Sequence, residues 1–264
     1  MKPVVIFDLD DTLIVQDLMT RRTVDFCTAF LGVDPEMFWK VFQNTSQVAF
    51  EALPSYSWCR SIGISAQEGL WGDFGGAIAE LNALRRDIPQ YRAQAWGQAL
   101  QEFGFADSAL TQTIADDFAS LRGRRYYAFP EAQTVLASLS PAWDFALLTN
   151  GAPELQWSKV HRCGLESWFS SVTVSGDYGI GKPDPRIFDI VRAKHPNAPG
   201  FVMVGNSLTS DIQGAKNASI PCIWFVQGEE PVIPNVRPDA VIKSLKDLPS
   251  VLTDVYSGAV PALK

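Results

Sequence analysis

Two carboxylates separated by one residue follow an apolar segment near the start of the chain. Asp8 and Asp10 come after the β-branched and aromatic run Val4-Val5-Ile6-Phe7, which predicts a buried strand. Residues two apart in an extended chain point to the same side, and two carboxylates aimed at one point repel unless a cation or a proton lies between them. The pair therefore suits a metal site or a nucleophile beside a general acid, although such aspartates can also simply form a turn or a cap.

The composition is that of a globular chain with a net negative charge. The 264 residues are 47% hydrophobic and 19% charged, and the net charge is −7. This charge argues against a nucleic-acid polymer as a partner, and the apolar start is too short for a signal peptide or a membrane span. The four cysteines have no paired spacing, which is typical of reduced thiols. We expect a cytoplasmic protein that does not bind a membrane.

Strands and helices alternate in the second half of the chain. After the first strand, the predicted strands are 144–148, 171–174, 201–204, 222–226 and 240–242. Strands that alternate with helices form parallel sheets with right-handed crossovers. Because the first strand has no neighbouring strand nearby in the sequence, we expect it to join this later sheet.

A long helical block separates the first strand from the others. Between about residues 17 and 121 the apolar residues recur at helical spacing. Asp34-Pro35 predicts an N-cap followed by the first helical residue, and Ser65 with Glu68 fits a capping box. Breaks are predicted at Pro54, Gly63, Pro89 and Gly104. We expect the block to be an insertion that forms a cap over the ligand crevice.

Polar residues follow four of the predicted strands or the loops after them. They are the pair Asp8 and Asp10, then Thr149-Asn150, Lys182, and the segment from Asn206 to Asp211. Ligands of open α/β sheets bind at the carboxyl ends of the strands, so we expect these groups to converge there. Taken singly, each has a plain reading as a turn or a surface residue.

Four stretches, in this order, resemble the haloacid dehalogenase (HAD) superfamily of phosphohydrolases, subfamily I, which has a helical C1 cap. They are Phe7-Asp8-Leu9-Asp10-Asp11-Thr12, Leu148-Thr149-Asn150-Gly151, Gly181-Lys182-Pro183-Asp184-Pro185-Arg186-Ile187-Phe188 and Val204-Gly205-Asn206-Ser207-Leu208-Thr209-Ser210-Asp211-Ile212. The resemblance implies an α/β fold whose catalytic core is a Rossmann-like doubly wound parallel sheet, formed by residues 1–15 and 128–264. It also implies an inserted all-α cap domain of residues 16–127.

The resemblance further implies a phosphatase that works through an aspartyl-phosphate intermediate. Asp8 would be the nucleophile, and Asp10 would protonate the leaving alcohol and then activate water. Thr149, Asn150 and Lys182 would bind the phosphoryl group. A phosphomutase of the same superfamily and a catalytically silent binding or regulatory member are the alternatives.

The resemblance also implies a Mg²⁺ cofactor, which prefers hard oxygen ligands. The ligands would be the Asp8 carboxylate, the Asp10 backbone carbonyl and the fourth motif, although Asp10 could also ligate through its side chain. That motif usually begins Gly-Asp, but here it reads Gly205-Asn206, and the intact acid is Asp211. We expect weaker metal binding if the neutral Asn206 is the direct ligand, and little change if Asp211 is.

The substrate is expected to be a small phosphorylated metabolite. Dehalogenases of the superfamily do not keep the second aspartate, so Asp10 favours phosphate chemistry over carbon–halogen cleavage. Arg21 and Arg22 could bind a second charged group of the substrate, and Arg122, Arg124 and Arg125 lie where the cap should return to the core. A solvated surface or a salt bridge is the better interpretation of each of these five arginines. The sequence leaves both a monomer and a homodimer open.

Overall fold

The computed structural model describes residues 1–228 and 236–259, and the chain separates into two compact units. The core unit comprises Met1–Val15, Tyr127–Asn150 and Lys159–Lys264, and the helical unit comprises Gln16–Tyr126 and Gly151–Ser158. Residues 229–235 and 260–264, which the sequence assigns to the core, lie outside the described residues.

The helical unit is built from amphipathic helices with well-defined caps. Helices α1 to α6 are Asp17–Thr28, Pro35–Glu51, Tyr56–Ile62, Ala66–Gly69, Ala79–Glu102 and Ser108–Arg122. The Asp34 carboxylate accepts a hydrogen bond from the Met37 backbone N–H over 2.8 Å, and Ser65 and Glu68 form a capping box. Both caps that the sequence predicts are confirmed.

One predicted helix break is wrong, because Pro89 lies inside α5. Proline in a helix interior removes a hydrogen bond and costs about 3 kcal/mol. Leu84, Ile88 and Tyr91 of the same helix are buried in the apolar core of the helical unit. Burial of each such side chain contributes roughly 1.5–3 kcal/mol, which offsets the loss. The breaks predicted at Pro54, Gly63 and Gly104 do fall between helices.

A parallel sheet forms the centre of the core unit. Its strands β1 to β6 are Val4–Phe7, Asp144–Thr149, Ser171–Val174, Phe201–Gly205, Cys222–Phe225 and Ala240–Ile242. Over the described residues the strand order is β3-β2-β1-β4-β5-β6, and every pairing is parallel. Val5 of β1 pairs with both Phe145 and Val202, so the first strand joins the later sheet as predicted. The predicted Rossmann-like α/β fold is confirmed.

Apolar residues on both faces of the sheet are covered, which explains why β1 has no polar alternation. Val5 and Phe7 belong to one apolar core, and Val4 and Ile6 belong to another. Two-sided burial is the usual state of a parallel strand.

Helices α7 to α11 are Ala132–Leu139, Pro153–Arg162, Pro185–Lys194, Gln213–Asn217 and Leu248–Ala259.

The chain after β4 departs from the predicted α-helix. A π-helical turn, Leu208–Ile212, precedes α10, where the sequence predicts an α-helix from residue 209. The Ser207 hydroxyl accepts from the Ser210 backbone N–H over 3.2 Å, and the Ser207 N–H donates to the Asp211 side chain over 2.9 Å. These local bonds compete with regular helical bonds and hold the Asp211 side chain against the backbone of Ser207, which precedes the turn.

Among residues 1–228 and 236–259, no helix combines the length and the apolar character that a membrane span requires.

Candidate active site

Asp8 lies where β1, the central strand, ends. Its backbone N–H donates to the Val204 carbonyl on β4 over 3.0 Å, and its side chain is buried. The Thr12 hydroxyl donates to Asp8 Oδ2 over 3.0 Å. Asp8 is therefore held at the sheet edge where α/β proteins bind their ligands.

The Lys182 ammonium group lies between two carboxylates. Its Nζ is 2.6 Å from Asp8 Oδ1 and 2.7 Å from Asp211 Oδ1, and it donates to the Leu148 carbonyl over 2.9 Å. Lys182 is 5% exposed and Asp211 is 1% exposed. One buried positive charge faces two negative charges, so the cluster favours the uptake of a proton or a further cation.

Burial and the nearby charges shift the pKa values of Asp8 and Lys182. Burial first, and then the charge of Asp211, raises the pKa of Asp8 to about 7, against the opposing effect of Lys182. Burial lowers the pKa of Lys182, but the Asp211 and Asp8 carboxylates outweigh it and hold that pKa above its usual value. Lys182 therefore stays charged, and a bound cation would favour the ionised form of Asp8.

The Asn150 side chain forms two hydrogen bonds to the backbone of Lys182. The Asn150 side-chain N–H donates to the Lys182 carbonyl over 2.9 Å, and its Oδ1 accepts from the Lys182 backbone N–H over 2.9 Å. A Cβ on Gly181 would lie 2.8 Å from Asn150 Oδ1, so the close approach requires glycine. Thr149, which ends β2, is buried. Both residues thus lie at the sheet edge where Lys182 contacts Asp8.

Asp10 contacts a buried lysine from α8. Lys159 Nζ donates to Asp10 Oδ1 over 2.9 Å and to Asp10 Oδ2 over 2.8 Å. The Lys159 side chain is 0% exposed, whereas the Asp10 side chain is 21% exposed. The Asp10 carboxylate is therefore hydrogen-bonded to Lys159 and remains accessible to solvent or a ligand on another side.

Asn206 and Asp211 occupy different places in the cluster. The Thr12 hydroxyl, which donates to Asp8 Oδ2, is also 3.4 Å from Asn206 Oδ1, so the asparagine oxygen lies on that side of Asp8. Asp211 instead lies against Lys182, and its second oxygen accepts from the Ser207 backbone N–H over 2.9 Å. No group of three or more His, Cys, Asp or Glu side chains suited to a metal is found in the described ranges.

Two residues of this site have no role that the sequence pattern predicts. Thr12 closes the first motif, and its position two residues after Asp10 is the signal that could have identified it. Lys159 has no such signal, because a lysine on an amphipathic helix usually faces solvent.

The candidate arginines of the helical unit differ in their environments. Arg21 forms ion pairs with Asp25 and Glu36 at 2.9 and 2.8 Å, as the sequence favours. Arg122 is not a solvated surface residue, because it is 1% exposed. Its guanidinium carbon is 4.5 Å from the centre of the Trp71 ring, so packing within the unit accounts for its burial.

Comparison with protein families agrees with the sheet and the motifs at its edge. The family model of the haloacid dehalogenase-like hydrolases matches residues 2–219. The chain therefore belongs to the haloacid dehalogenase-like hydrolase family.

The chain is similar to three known proteins. The phosphoserine phosphatase of Thermus thermophilus is 35% identical over 246 residues, which cover 92% of this chain and 96% of that protein. The magnesium-bound HAD-hydrolase YfnB of Bacillus subtilis has a TM-score of 0.61 at 20% identity, with 96% of this chain and 99% of that one covered. A 2-haloacid dehalogenase of Pseudomonas syringae has a TM-score of 0.53 at 28% identity, with the same coverage. Because the names include both a phosphatase and a dehalogenase, the reaction must be argued from the site.

Proposed function

We propose that this hydrolase is a Mg²⁺-dependent phosphatase that acts on a small phosphorylated metabolite. The observation that carries the proposal is the buried Asp8 carboxylate, 2.6 Å from Lys182 Nζ, with a second carboxylate on Asp10 two residues later. A carboxylate can attack phosphorus, an ammonium group offsets the phosphate charge, and a second carboxyl group can carry the proton. In this proposal the helical unit is the cap that selects the substrate.

Hydrolysis takes place in two displacements at phosphorus. An oxygen of Asp8 bonds to phosphorus, the ester P–O bond breaks, and the leaving alkoxide takes a proton from Asp10. Water then attacks the aspartyl-phosphate and gives a proton to Asp10, which releases phosphate and restores the Asp8 carboxylate. Lys182 and the Thr149 hydroxyl bind the phosphoryl oxygens, and their charge and dipole stabilise both transition states.

The oxygen atoms beside Asp8 suit Mg²⁺, which prefers hard donors. The donors would be the Asp8 carboxylate, the Asp10 backbone carbonyl and Asn206 Oδ1, with Thr12 close to both Asp8 and Asn206. When bound, the metal supplies positive charge that offsets the repulsion between Asp8 and the phosphate dianion.

We assign the fourth-motif ligand to Asn206 rather than to Asp211. Asp211 contacts Lys182 with one oxygen and accepts from the Ser207 N–H with the other, so both of its oxygens already have partners. Asp211 then serves to orient Lys182, which in turn contacts Asp8.

The relatives support a phosphomonoester substrate. The phosphoserine phosphatase matches almost the whole of both chains, so phosphoserine is the first compound to assay. The similarity to a dehalogenase favours a different reaction, carbon–halogen cleavage. The Asp10 carboxylate, which is hydrogen-bonded to Lys159, argues against that reaction, because the leaving halide needs no proton.

The test uses purified protein, Mg²⁺ and a panel of phosphomonoesters headed by phosphoserine and p-nitrophenyl phosphate. Asp8→Asn should lower kcat roughly a thousandfold or more, because the amide is not a nucleophile. Asp189→Asn removes an exposed carboxylate of the same unit and should leave kcat unchanged. Phosphate release by Asp8→Asn at the wild-type rate would overturn the mechanism.

Asn206 favours one alternative, a binding protein without turnover, because it removes a charge from the metal site. Absence of phosphate release across the panel, for the wild-type protein and for Asn206→Asp, would support that alternative. Chloride release from 2-chloropropionate without phosphate release from the panel would instead indicate a dehalogenase.

A further inference from the structure

Lys159 is a buried charge that the two-step mechanism does not yet use. Its side chain is fully buried, and its ammonium group donates to both oxygens of Asp10 over 2.9 and 2.8 Å. Transferring an ammonium group out of water is unfavourable unless a well-placed opposite charge compensates. The Asp10 carboxylate, 149 positions away in the chain, supplies such a charge.

The geometry of the pair restricts the carboxylate more than a single hydrogen bond would. A carboxylate held through one oxygen can turn about its Cβ–Cγ bond, whereas contacts to both oxygens fix its plane. Lys159 lies on helix α8, and Asp10 lies three residues after the last residue of β1, the central strand. A proton carrier works well only when it is held at the correct distance and orientation from the reacting oxygen.

We propose that Lys159 is a positioning residue that holds the Asp10 carboxylate in the orientation needed to accept the proton of the attacking water. The inference rests on the proposed phosphatase function and adds to it a residue outside the four motifs. Lys159 does not contact phosphorus or the leaving group in this role. It acts through Asp10, and its loss should affect the steps that need a proton carrier.

The first displacement on p-nitrophenyl phosphate has little need of Asp10, because p-nitrophenolate is a stable leaving group that departs without a proton. The second displacement, hydrolysis of the aspartyl-phosphate, needs Asp10 with any substrate. Rapid mixing of enzyme with p-nitrophenyl phosphate separates the two steps, since the first turnover reports phosphorylation of Asp8 and the steady state reports hydrolysis.

Three variants make the experiment specific. Lys159→Met keeps the length and apolar stem of the side chain but removes its donors, and Lys159→Arg restores a cationic donor of two N–H groups. Lys216→Met is the matched control. Lys216 also donates to both oxygens of an aspartate, Asp239, with hydrogen bonds of 2.7 and 2.8 Å, but this pair is not part of the site. Circular dichroism and the thermal midpoint of each variant report its folding.

Lys159→Met should keep the first-turnover rate within about threefold of wild type, while the steady-state rate falls about 10- to 100-fold, the order expected for a misplaced general base. A burst of about one p-nitrophenolate per enzyme should appear, Lys159→Arg should recover at least part of the steady-state rate, and Lys216→Met should match wild type. Equal loss in both phases, or no loss in either, would overturn the role of Lys159 alone. Absence of turnover by the wild-type protein would overturn the proposed function and this role together.

Discussion

Asn206 contributes a neutral oxygen beside Asp8, the nucleophile of the proposed reaction. The Thr12 hydroxyl lies 3.0 Å from Asp8 Oδ2 and 3.4 Å from Asn206 Oδ1, and the Trp224 indole N–H donates to the Asn206 carbonyl over 2.8 Å. The backbone and the side chain of Asn206 are thus both placed by neighbours. At the residue scale, the affinity of the proposed metal site would depend on the charge of this side chain, because the charge of the ligands tunes affinity for a divalent cation.

Asn206→Asp should bind Mg²⁺ more tightly, by roughly tenfold, since the change adds one negative charge beside Asp8 without changing side-chain length. The Mg²⁺ concentration at half-maximal activity and the heat of Mg²⁺ binding to the free protein measure the effect. Asn197→Asp adds the same charge at an exposed position of the core unit and should leave Mg²⁺ affinity unchanged. Unaltered affinity in Asn206→Asp would contradict the assignment of Asn206 as the direct ligand.

Helices begin and end where capping residues and glycines predict it, as long as burial of the helix agrees. Strong burial can also keep a helix continuous through a residue that would otherwise break it. The Asp34 cap starts α2, and Gly63 ends α3 with a φ of 78°. Pro89 is tolerated inside α5 because the residues around it are buried in the helical core. The helical unit therefore depends on caps at the helix ends and on packing in the helix interiors.

Asp34→Ala should lower the free energy of unfolding by about 1 kcal/mol, because the Met37 N–H loses its acceptor at the start of α2. Asp34→Asn keeps an acceptor and should lie close to wild type. Asn44→Ala changes an exposed position inside the same helix and should raise stability by a few tenths of a kcal/mol, since alanine favours helix. Urea denaturation followed by circular dichroism measures all three, and a loss in Asn44→Ala as large as in Asp34→Ala would contradict the capping argument.

Both units of the molecule bury thiols, which makes cysteine reactivity a measure of the whole fold. Cys27 and Cys59 lie in the helical unit, and Cys222 lies in the core unit. Burial raises the pKa of each of these three thiols to about 11. Thiolate is the reactive form, so both low access and a low thiolate fraction protect them.

The native protein at pH 8 should therefore expose at most one rapidly reacting thiol, at the half-buried Cys163. A pKa of about 11 leaves roughly one thiolate in a thousand at that pH. Titration with Ellman's reagent should give four thiols after denaturation, and Cys163→Ser should remove the fast phase from the native protein. Two or more fast thiols in the native wild-type protein would show that one of the units opens readily.

The sequence alone determined the strands, the parallel sheet and the motifs at its edge. Val4 through Phe7 are apolar without alternation because both faces of β1 are buried, and this pattern is readable without a structure. Since parallel strands end at a common edge, Asp8 and Lys182 could be expected to meet, and the structure brings Lys182 Nζ within 2.6 Å of Asp8 Oδ1. These predictions depend on local patterns and on topology, which the order of residues expresses directly.

Only the tertiary structure decided which side chains form ion pairs. Lys159 pairs with Asp10 across 149 positions, and Asp211 pairs with Lys182. Periodicity predicts which residues of a helix face a core, but it does not predict that a buried lysine finds a distant carboxylate there. Such partners are set by how distant segments pack in three dimensions, because contacts between them depend on a register that no local pattern contains.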